Sequence, residues 1–419
     1  MILKVSKTKK VKGQVVISGS KNSALALICA ALLTKKDVTI TNIPLITDVK
    51  KLLNIITDLG VDIRVGDKQV TINAKKIKNR IISDEVKEIR GSSYLLGSLL
   101  ARTGKVEMPV PGGCNLGERP LDYHLMAFQK MGFKNVVEGE TIKIKKEKIK
   151  DAEITFPKKS VGATINTIIL AASLKTKTII NNPSLEPEVQ DVIKMLKNMG
   201  ANIDITENQV IINPPIESLK GCIHQVIPDR IEAGSYLLLA AALPKSEITL
   251  QEVNPKDLTT VLILLKSLGN KIKIDDTSIT INSPNVLNKA NLIIGPYPFF
   301  PTDLQQLLSV ALLNAKGVSY LKDTVFENRV SQIKELEKMN GDLKNIDGEI
   351  IITPSKLKGS IVKSHDLRCA MALVIAGGMA EGITLIENGE MLLRGYERPI
   401  EKLKKIGFII EKLDKENEY

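Results

Sequence analysis

Tryptophan is absent from this chain, and all aromatic residues together make up only 3% of it. A surface that binds nucleic acid by stacking bases would therefore find few platforms. Cysteine is nearly as scarce. The four present, Cys29, Cys114, Cys222 and Cys369, form no C-x-x-C pair, and His124, His224 and His365 stand apart from one another. This excludes a disulfide framework and argues against a dedicated zinc site, so reduced thiols and no bound metal are expected. No apolar run approaches the roughly 18 residues of a membrane span. The first residues, MILKVSKTKKVKGQVVISG, read as alternating strand and lack the apolar centre of a signal peptide. A cytoplasmic protein with no membrane partner is the expectation.

Positive charge is abundant. Fifty-nine Lys and Arg against 47 Asp and Glu give a net charge of +12 over 419 residues. The lysines are spread over hairpins and helix faces, as at Lys143, Lys145, Lys148, Lys402 and Lys405, instead of forming one basic helix. The balance suits an anionic small substrate better than a nucleic acid.

The chain also repeats. Apolar helices end in a hydrophobic residue and Gly at Leu59-Gly60, Met131-Gly132, Met199-Gly200, Leu268-Gly269 and Ile406-Gly407, with Met339-Asn340-Gly341 as the sixth. Successive glycines lie 72, 68, 69, 72 and 66 positions apart. A glycine after a periodic apolar run is a left-handed helix stop, and its regular return means the fold is built from six copies of one module. GVDIRVGDKQVTIN, GANIDITENQVIIN, GNKIKIDDTSITIN and GDLKNIDGEIIIT are four versions of the hairpin that follows, with Gly66-Asp67 and Asp347-Gly348 expected at the turns. Each module also holds a second helix rich in Ala and Leu, starting near Ser23, Ser92, Gly162, Ile231, Thr302 and Asp366. A helix apolar all round is buried, so sheets should pack outside it. Six modules exceed one core, which predicts two α/β domains of three modules each.

Polar residues recur where these apolar helices begin: Lys21-Asn22, Arg90, Ser160-Val161-Gly162, Asp229-Arg230, Thr302-Asp303 and Asp366-Leu367-Arg368. Helix starts attract anions, and buried charge needs a partner. Ser23, Thr302 and Asp366 also read as simple N-caps, whereas Lys and Arg beside a helix N-terminus do not. The segment PVPGGCNLGERPLDYHL at 109–125 is rich in Pro and Gly and predicts a mobile loop with Cys114 exposed near Arg119. A neighbouring cation favours the thiolate. Cys29 and Cys369, inside apolar helices, read as packing residues.

SGSKNSALAL, PGGCNLGERPLDYH, SVGAT, EPEVQD, PDRIEAG, FPTDLQ, TVFENR, DLR and RGYER, in this order along the chain, resemble the UDP-N-acetylglucosamine 1-carboxyvinyltransferases of the EPSP synthase superfamily. The resemblance covers essentially the whole chain. It implies two inside-out α/β barrel domains of three repeats with a cleft between them, spanning 21–228 and 1–20 plus 229–419. The implied reaction moves the enolpyruvyl group of phosphoenolpyruvate to the 3′-hydroxyl of UDP-N-acetylglucosamine, the first committed step of peptidoglycan synthesis. It needs no cofactor, and the oligomeric state stays open.

Carried over position by position, the resemblance gives Lys21, Asn22, Arg90, Arg119, Arg394 and Lys402 to phosphoenolpyruvate. Asp303 becomes the base for the attacking hydroxyl. Cys114 becomes proton donor, site of a covalent donor adduct, aid to product release, or the target of fosfomycin; which of the first three applies is open. Uracil and ribose are implied against Arg119, Pro120, Leu121, Asp122 and His124, the diphosphate at Ser160, Val161 and Gly162, and the sugar near Asn22, Val325 and Phe326. Arg90 and Asp303 also line the implied acceptor site, and Asp366 and Arg368 support the intermediate. Ser20, Ser23, Glu118 and the NGEMLL segment depart from the family pattern, and Pro399 is expected to interrupt a helix start. A 3-phosphoshikimate enzyme of the same superfamily, a binding paralogue without turnover and a nucleic-acid binder are the rival readings.

Overall fold

The computed structural model describes residues 1–112, 121–326 and 328–413. The chain divides into two compact units, one holding Gly19 to Ile227 and the other Met1–Ser18 with Pro228 onward. Among the described residues each carries three sheets and three buried helices.

In the Gly19–Ile227 unit the buried helices are Lys21–Ala31, Leu95–Thr103 and Val161–Ala171. Ala, Leu and Ile on every side leave them no polar face to turn to water, so they become the core. Leu27, Ile28, Leu99, Ile165 and Ile168 are wholly buried. Amphipathic helices Thr47–Asp58, Asp122–Lys130 and Pro187–Asn198 and the three sheets cover that core. The other unit repeats the plan with buried helices Arg230–Ala242, Gln305–Ala311 and Leu367–Met379. Its covering helices are Thr259–Ser267, Ser331–Lys338 and Pro399–Lys405.

Sheet pairing shows how the repeat works. A strand precedes each buried helix, and another follows it and lies parallel to the first: Ala152–Thr155 with Thr178–Asn181, Asn291–Ile294 with Ser319–Asp323, and Ile361–Lys363 with Ile383–Glu387. The second module of the Gly19–Ile227 unit reduces this pair to one bridge, Arg80 to Glu107. Hairpins then add antiparallel strands, as where Val38–Thr41 pairs with Gln69–Asn73 and that with Asp62–Gly66. Two modules exchange partners. Lys12–Val16 precedes the Lys21 helix but pairs with Glu247–Gln251, whereas Ile223–Gln225 precedes the Arg230 helix but pairs with Val38–Thr41. This exchange sets where the chain passes from one unit to the other.

The helix stops are as expected from the sequence at five positions, with φ of 85°, 96°, 102°, 96° and 82° at Gly60, Gly132, Gly200, Gly269 and Gly407. In the sixth the left-handed residue is Asn340 at 66°, and Gly341 follows it. Asn tolerates this region because its short polar side chain can hydrogen-bond locally and offset the cost of the Cβ contact. The Asp347-Gly348 turn holds, with φ of 49° and 78°. The first hairpin turns one residue later than expected: Gly66 ends a strand and Lys68, at 49°, carries the turn. Pro399 does not interrupt its helix. It occupies the first turn, where a missing N–H costs nothing.

Candidate active site

In the Gly19–Ile227 unit, Ser20 caps the first buried helix by accepting from the Ser23 amide. Lys21 is the first helical residue and is almost fully buried. Its Nζ meets the buried Asp48 carboxylate at 2.8 Å, so its charge is matched within the unit. Asn22 lies half-buried beside it. Ser23 is not a cap: its hydroxyl donates to buried Asp191, whose other oxygen lies 2.8 Å from His224 Nε2. Arg90 opens the turn before the second helix, half-buried, and donates to the Pro111 carbonyl at 3.1 Å. Burial lowers its affinity for a proton.

The third helix start is the most defined. Ser160 caps it by accepting from Ala163 N. His124, buried in the Asp122–Lys130 helix, reaches the same place: a Cβ on Gly162 would lie 3.1 Å from His124 Nε2. A larger residue there would press the ring back by a few tenths of an ångström. Asn166, in the middle of the apolar helix, donates to Ser93 O at 2.7 Å and lies 2.9 Å from His124 Nδ1. Burial, helped by the Arg90 charge, pushes the His124 imidazole down to about 3. Leu121 is buried and Asp122 exposed at the start of that helix. Cys114, Glu118, Arg119 and Pro120 lie outside the described residues.

In the other unit the centre is Asp303. Its Oδ1 meets Arg329 Nη1 at 2.7 Å and its Oδ2 meets Arg368 Nη2 at 2.9 Å. Burial would raise this carboxyl, but the two guanidinium charges and their hydrogen bonds outweigh it and hold it well below the usual range. Arg368 also lies over the Tyr396 ring at 5.4 Å. Asp366 is spent on structure. Its Oδ1 caps the helix by accepting from Arg368 N and Cys369 N, and its Oδ2 accepts from Ser331 Oγ at 2.9 Å. Asp366 thus reaches Arg368 through the backbone. Thr302, expected as a cap, instead donates its hydroxyl to Asp323. Val325 and Phe326 form a half-buried turn, with Arg329 over the Phe326 ring at 4.9 Å.

Lys402 is matched as well. Its Nζ lies 2.6 Å from buried Glu232 and 2.7 Å from Ser18 Oγ. Burial pushes the Glu232 carboxyl up, while the Lys402 charge and hydrogen bonds from Lys402 and Ser18 pull it back. Arg394 ends the half-buried turn Gly389–Arg394.

Each unit therefore gathers cations at helix starts, where anions are favoured, and holds several of them in place with carboxylates of its own. A family model described as EPSP synthase (3-phosphoshikimate 1-carboxyvinyltransferase) matches residues 5–403.

The chain belongs to the EPSP synthase family.

Within that family it is similar to UDP-N-acetylglucosamine 1-carboxyvinyltransferase 2 of Streptococcus thermophilus, 41% identical over 404 residues, covering 95% of this chain and 96% of the relative. The UDP-N-acetylglucosamine 1-carboxyvinyltransferase of Streptococcus pneumoniae serotype 2 is 42% identical over 400 residues, 94% and 95% of the two chains. The enolpyruvyl transferase NikO from Streptomyces tendae shares the fold at a TM-score of 0.89 and 22% identity, covering 98% of both chains. The EPSP synthase of Acinetobacter baumannii follows at 0.73 and 19%, covering 98% and 99%. The α/β architecture is thus the enolpyruvyl transferase fold.

This EPSP synthase family member brings His124 to Gly162 and Arg368 to Asp303, pairs that the sequence placed 38 and 65 positions apart. It also shows partners the sequence reading passed over: Asp48, Asn166, Glu232, Asp323 and Arg329. Glu232 and Arg329 lie inside PDRIEAG and TVFENR, segments that carried the resemblance. Glu232 and Asn166 had a physical signal too, since each is a strongly polar residue in a largely apolar, buried helix and must find a partner there. Among the described residues no three His, Cys, Asp or Glu side chains gather as a metal site requires. No described helix is long and apolar enough to cross a membrane.

Proposed function

We propose that this protein transfers the enolpyruvyl group of phosphoenolpyruvate to the 3′-hydroxyl of UDP-N-acetylglucosamine and releases phosphate, opening peptidoglycan synthesis. The observation that carries this reading is the likeness to enzymes named for that transfer, 41% identical over 95% of the chain. The two compact units act as its two domains, and the reaction takes place in the cytoplasm.

Lys21, Asn22, Arg90, Arg119, Arg394 and Lys402 take the donor, whose carboxylate and phosphate match fixed cations. The Ser160–Gly162 helix start takes the diphosphate, and His124 Nε2, aimed at Gly162, adds a donor there. Leu121 and Asp122, with Arg119 and Pro120, seat the nucleoside, and Val325 and Phe326 seat the sugar. In the addition step the 3′-oxygen bonds to C2 of the enol, C3 gains a proton, and the hydroxyl proton passes to Asp303. Cys114 is the candidate donor of the C3 proton, with a covalent donor adduct and product release as its alternative roles. Elimination then breaks the bond from C2 to the phosphate oxygen, C3 gives its proton back to the group that supplied it, and the double bond re-forms. The proton on Asp303 leaves with the phosphate or to solvent. Asp303 is held ionised by Arg329 and Arg368 and is ready to accept. Each of its oxygens accepts from one arginine and keeps a lone pair for the hydroxyl, while the two cations lower its basicity. It therefore takes the proton more readily when one of them draws back. Arg368, itself set by Asp366, stabilises charge on the intermediate.

Cys114 is also the proposed site of alkylation by fosfomycin. Full activity after stoichiometric exposure, with no mass gained on Cys114, would remove that part. The reaction itself is tested by phosphate release from phosphoenolpyruvate with each acceptor. Turnover with UDP-N-acetylglucosamine alone is expected, and turnover with shikimate 3-phosphate alone would reassign the acceptor.

A further inference from the structure

Asp323 ends the strand Ser319–Asp323 and is buried. Its two carboxylate oxygens serve different neighbours. Oδ1 accepts from Val325 N at 2.8 Å and Phe326 N at 3.1 Å, which shapes the turn carrying those two side chains. Oδ2 accepts from the Thr302 hydroxyl at 2.5 Å. Thr302 Oγ1 in turn accepts from Arg329 Nη1 at 3.1 Å, and the same nitrogen donates to Asp303 Oδ1 at 2.7 Å. Arg329 returns to the turn through its own amide, which donates to Phe326 O at 3.1 Å.

A hydroxyl has one proton to give. Thr302 gives it to Asp323 and so presents only lone pairs to Arg329. Donation therefore runs outward from Arg329, through Thr302 to Asp323 on one side and directly to Asp303 on the other. We propose that Asp323 is a positioning residue that couples the Val325–Phe326 turn to the Asp303 carboxylate through Thr302 and Arg329. The inference rests on the reading that the turn meets the acceptor sugar and Asp303 takes its proton. Movement of the turn on sugar binding would then be felt at the guanidinium that sets the position and basicity of Asp303.

Asp323→Asn and Thr302→Val break this link from opposite sides. Asn still offers an oxygen to the two amides but turns an N–H toward Thr302. The hydroxyl must then accept from it, and its proton is driven toward Arg329, donor against donor. Val removes the hydroxyl while keeping the shape. Each variant is expected to raise KM for UDP-N-acetylglucosamine and lower kcat, together by roughly tenfold to a hundredfold in kcat/KM. KM for phosphoenolpyruvate should stay within about twofold, because a sound fold and donor site remain. Thr302→Ser should restore activity, and the double variant should be little worse than either single one. A wild-type-like Thr302→Val, a multiplicative double variant, or an equal rise in both KM values would overturn the link. Failure of the wild-type protein to turn over UDP-N-acetylglucosamine would sink the functional reading instead. In that case hydrogen exchange at the Val325 and Phe326 amides decides the link alone: faster exchange in Thr302→Val upholds it, and unchanged exchange removes it.

Discussion

Asn166 fixes the tautomer of His124. The Asn166 Oδ1 is occupied by the Gly97 amide at 2.8 Å, so the atom facing His124 Nδ1 at 2.9 Å is the amide nitrogen, a donor. His124 Nδ1 must then be the acceptor, and the proton sits on Nε2, toward Gly162. Asn166 is wholly buried and also donates to Ser93 O, so every arm of its amide is used.

Replacing Asn166 by Asp reverses this arrangement. The new carboxylate oxygen can only accept, which calls for a proton on Nδ1 and favours the imidazolium. In the wild-type protein, nitrogen-15 signals of His124 should report a neutral ring with the proton on Nε2 throughout the range from pH 5 to 8, given a pKa of about 3. In Asn166→Asp the ring should titrate within that range, and KM for UDP-N-acetylglucosamine should change with it. A wild-type ring that titrates near its ordinary value of 6.5 would contradict the geometry. The stability consequence has a definite sign. Below about pH 6.5 the unfolded chain takes up a proton that native His124 refuses, so stability falls on acidification until the native pKa is passed. Gly97 is bound into the same arrangement. A Cβ there would lie 2.5 Å from Asn166 Oδ1, so Gly97→Ala should destabilise by about 1–3 kcal/mol, measured by denaturant unfolding.

Asp303 answers to its two arginines. Burial works against its charge and Arg329 and Arg368 overcome it, so the folded carboxyl titrates below its ordinary value. The pair's stabilisation is therefore present above about pH 4 and is lost as pH falls toward the native value. Arg368→Gln removes one of the two cations. The acidic limb of kcat/KM assigned to Asp303 should move upward in pH in that variant. Asp303→Asn should lower kcat by about a hundredfold to ten-thousandfold, the usual range for loss of a general base. An unmoved acidic limb in Arg368→Gln would mean that another group sets it.

The architecture was largely legible because its signals are local and repeated. Gly60, Gly132, Gly200, Gly269 and Gly407 each report the end of a helix by backbone sterics alone, and apolar composition on all sides identifies a buried helix. The strand exchange between Lys12–Val16 and Ile223–Gln225 was not legible, since both strands look like any other in the repeat and their partners are chosen in three dimensions. Site residues divide the same way. Lys21, Asp303 and Arg368 stand out as charges at apolar helix starts. Their partners Asp48 and Arg329 lie on other elements, and nothing in their local sequence says which charge they meet. Ser23 and Thr302 looked like caps because a hydroxyl near a helix start has that use most often. Here Asp191 and Asp323 offered carboxylates instead.

Glu232 and Lys402 form a buried ion pair whose members are 170 positions apart. Glu232 also accepts from the Ser18 amide at 2.7 Å, and Ser18 Oγ bonds to Glu397 at 2.8 Å. The pair thus holds the last residue before the chain leaves this unit. Glu232→Ala leaves the largely buried Lys402 ammonium uncompensated and should cost about 3 kcal/mol by denaturant unfolding. Lys402→Ala should cost a similar amount. The double variant should cost clearly less than the sum of the two, because neither charge is then stranded. Simple additivity would show that Lys402 is already neutralised by something other than Glu232.

The helix cysteines are poorly suited to the thiol chemistry proposed for Cys114. Burial alone pushes the Cys29 thiol far above its ordinary value, and burial, joined by the Asp366 charge, pushes Cys369 up to about 12. Neither presents a thiolate near neutral pH, and both are closed off from solvent. Cys222 is half-buried, and burial raises it as well. Brief treatment of the native protein with iodoacetamide, followed by peptide mass mapping, should therefore mark Cys114 first, Cys222 slowly, and Cys29 and Cys369 only after unfolding. Loss of activity should follow the mass gained on Cys114, and Cys114→Ala should lose turnover without losing stability. Early labelling of Cys29 or Cys369 would mean that the buried helices open far more readily than an all-apolar core permits.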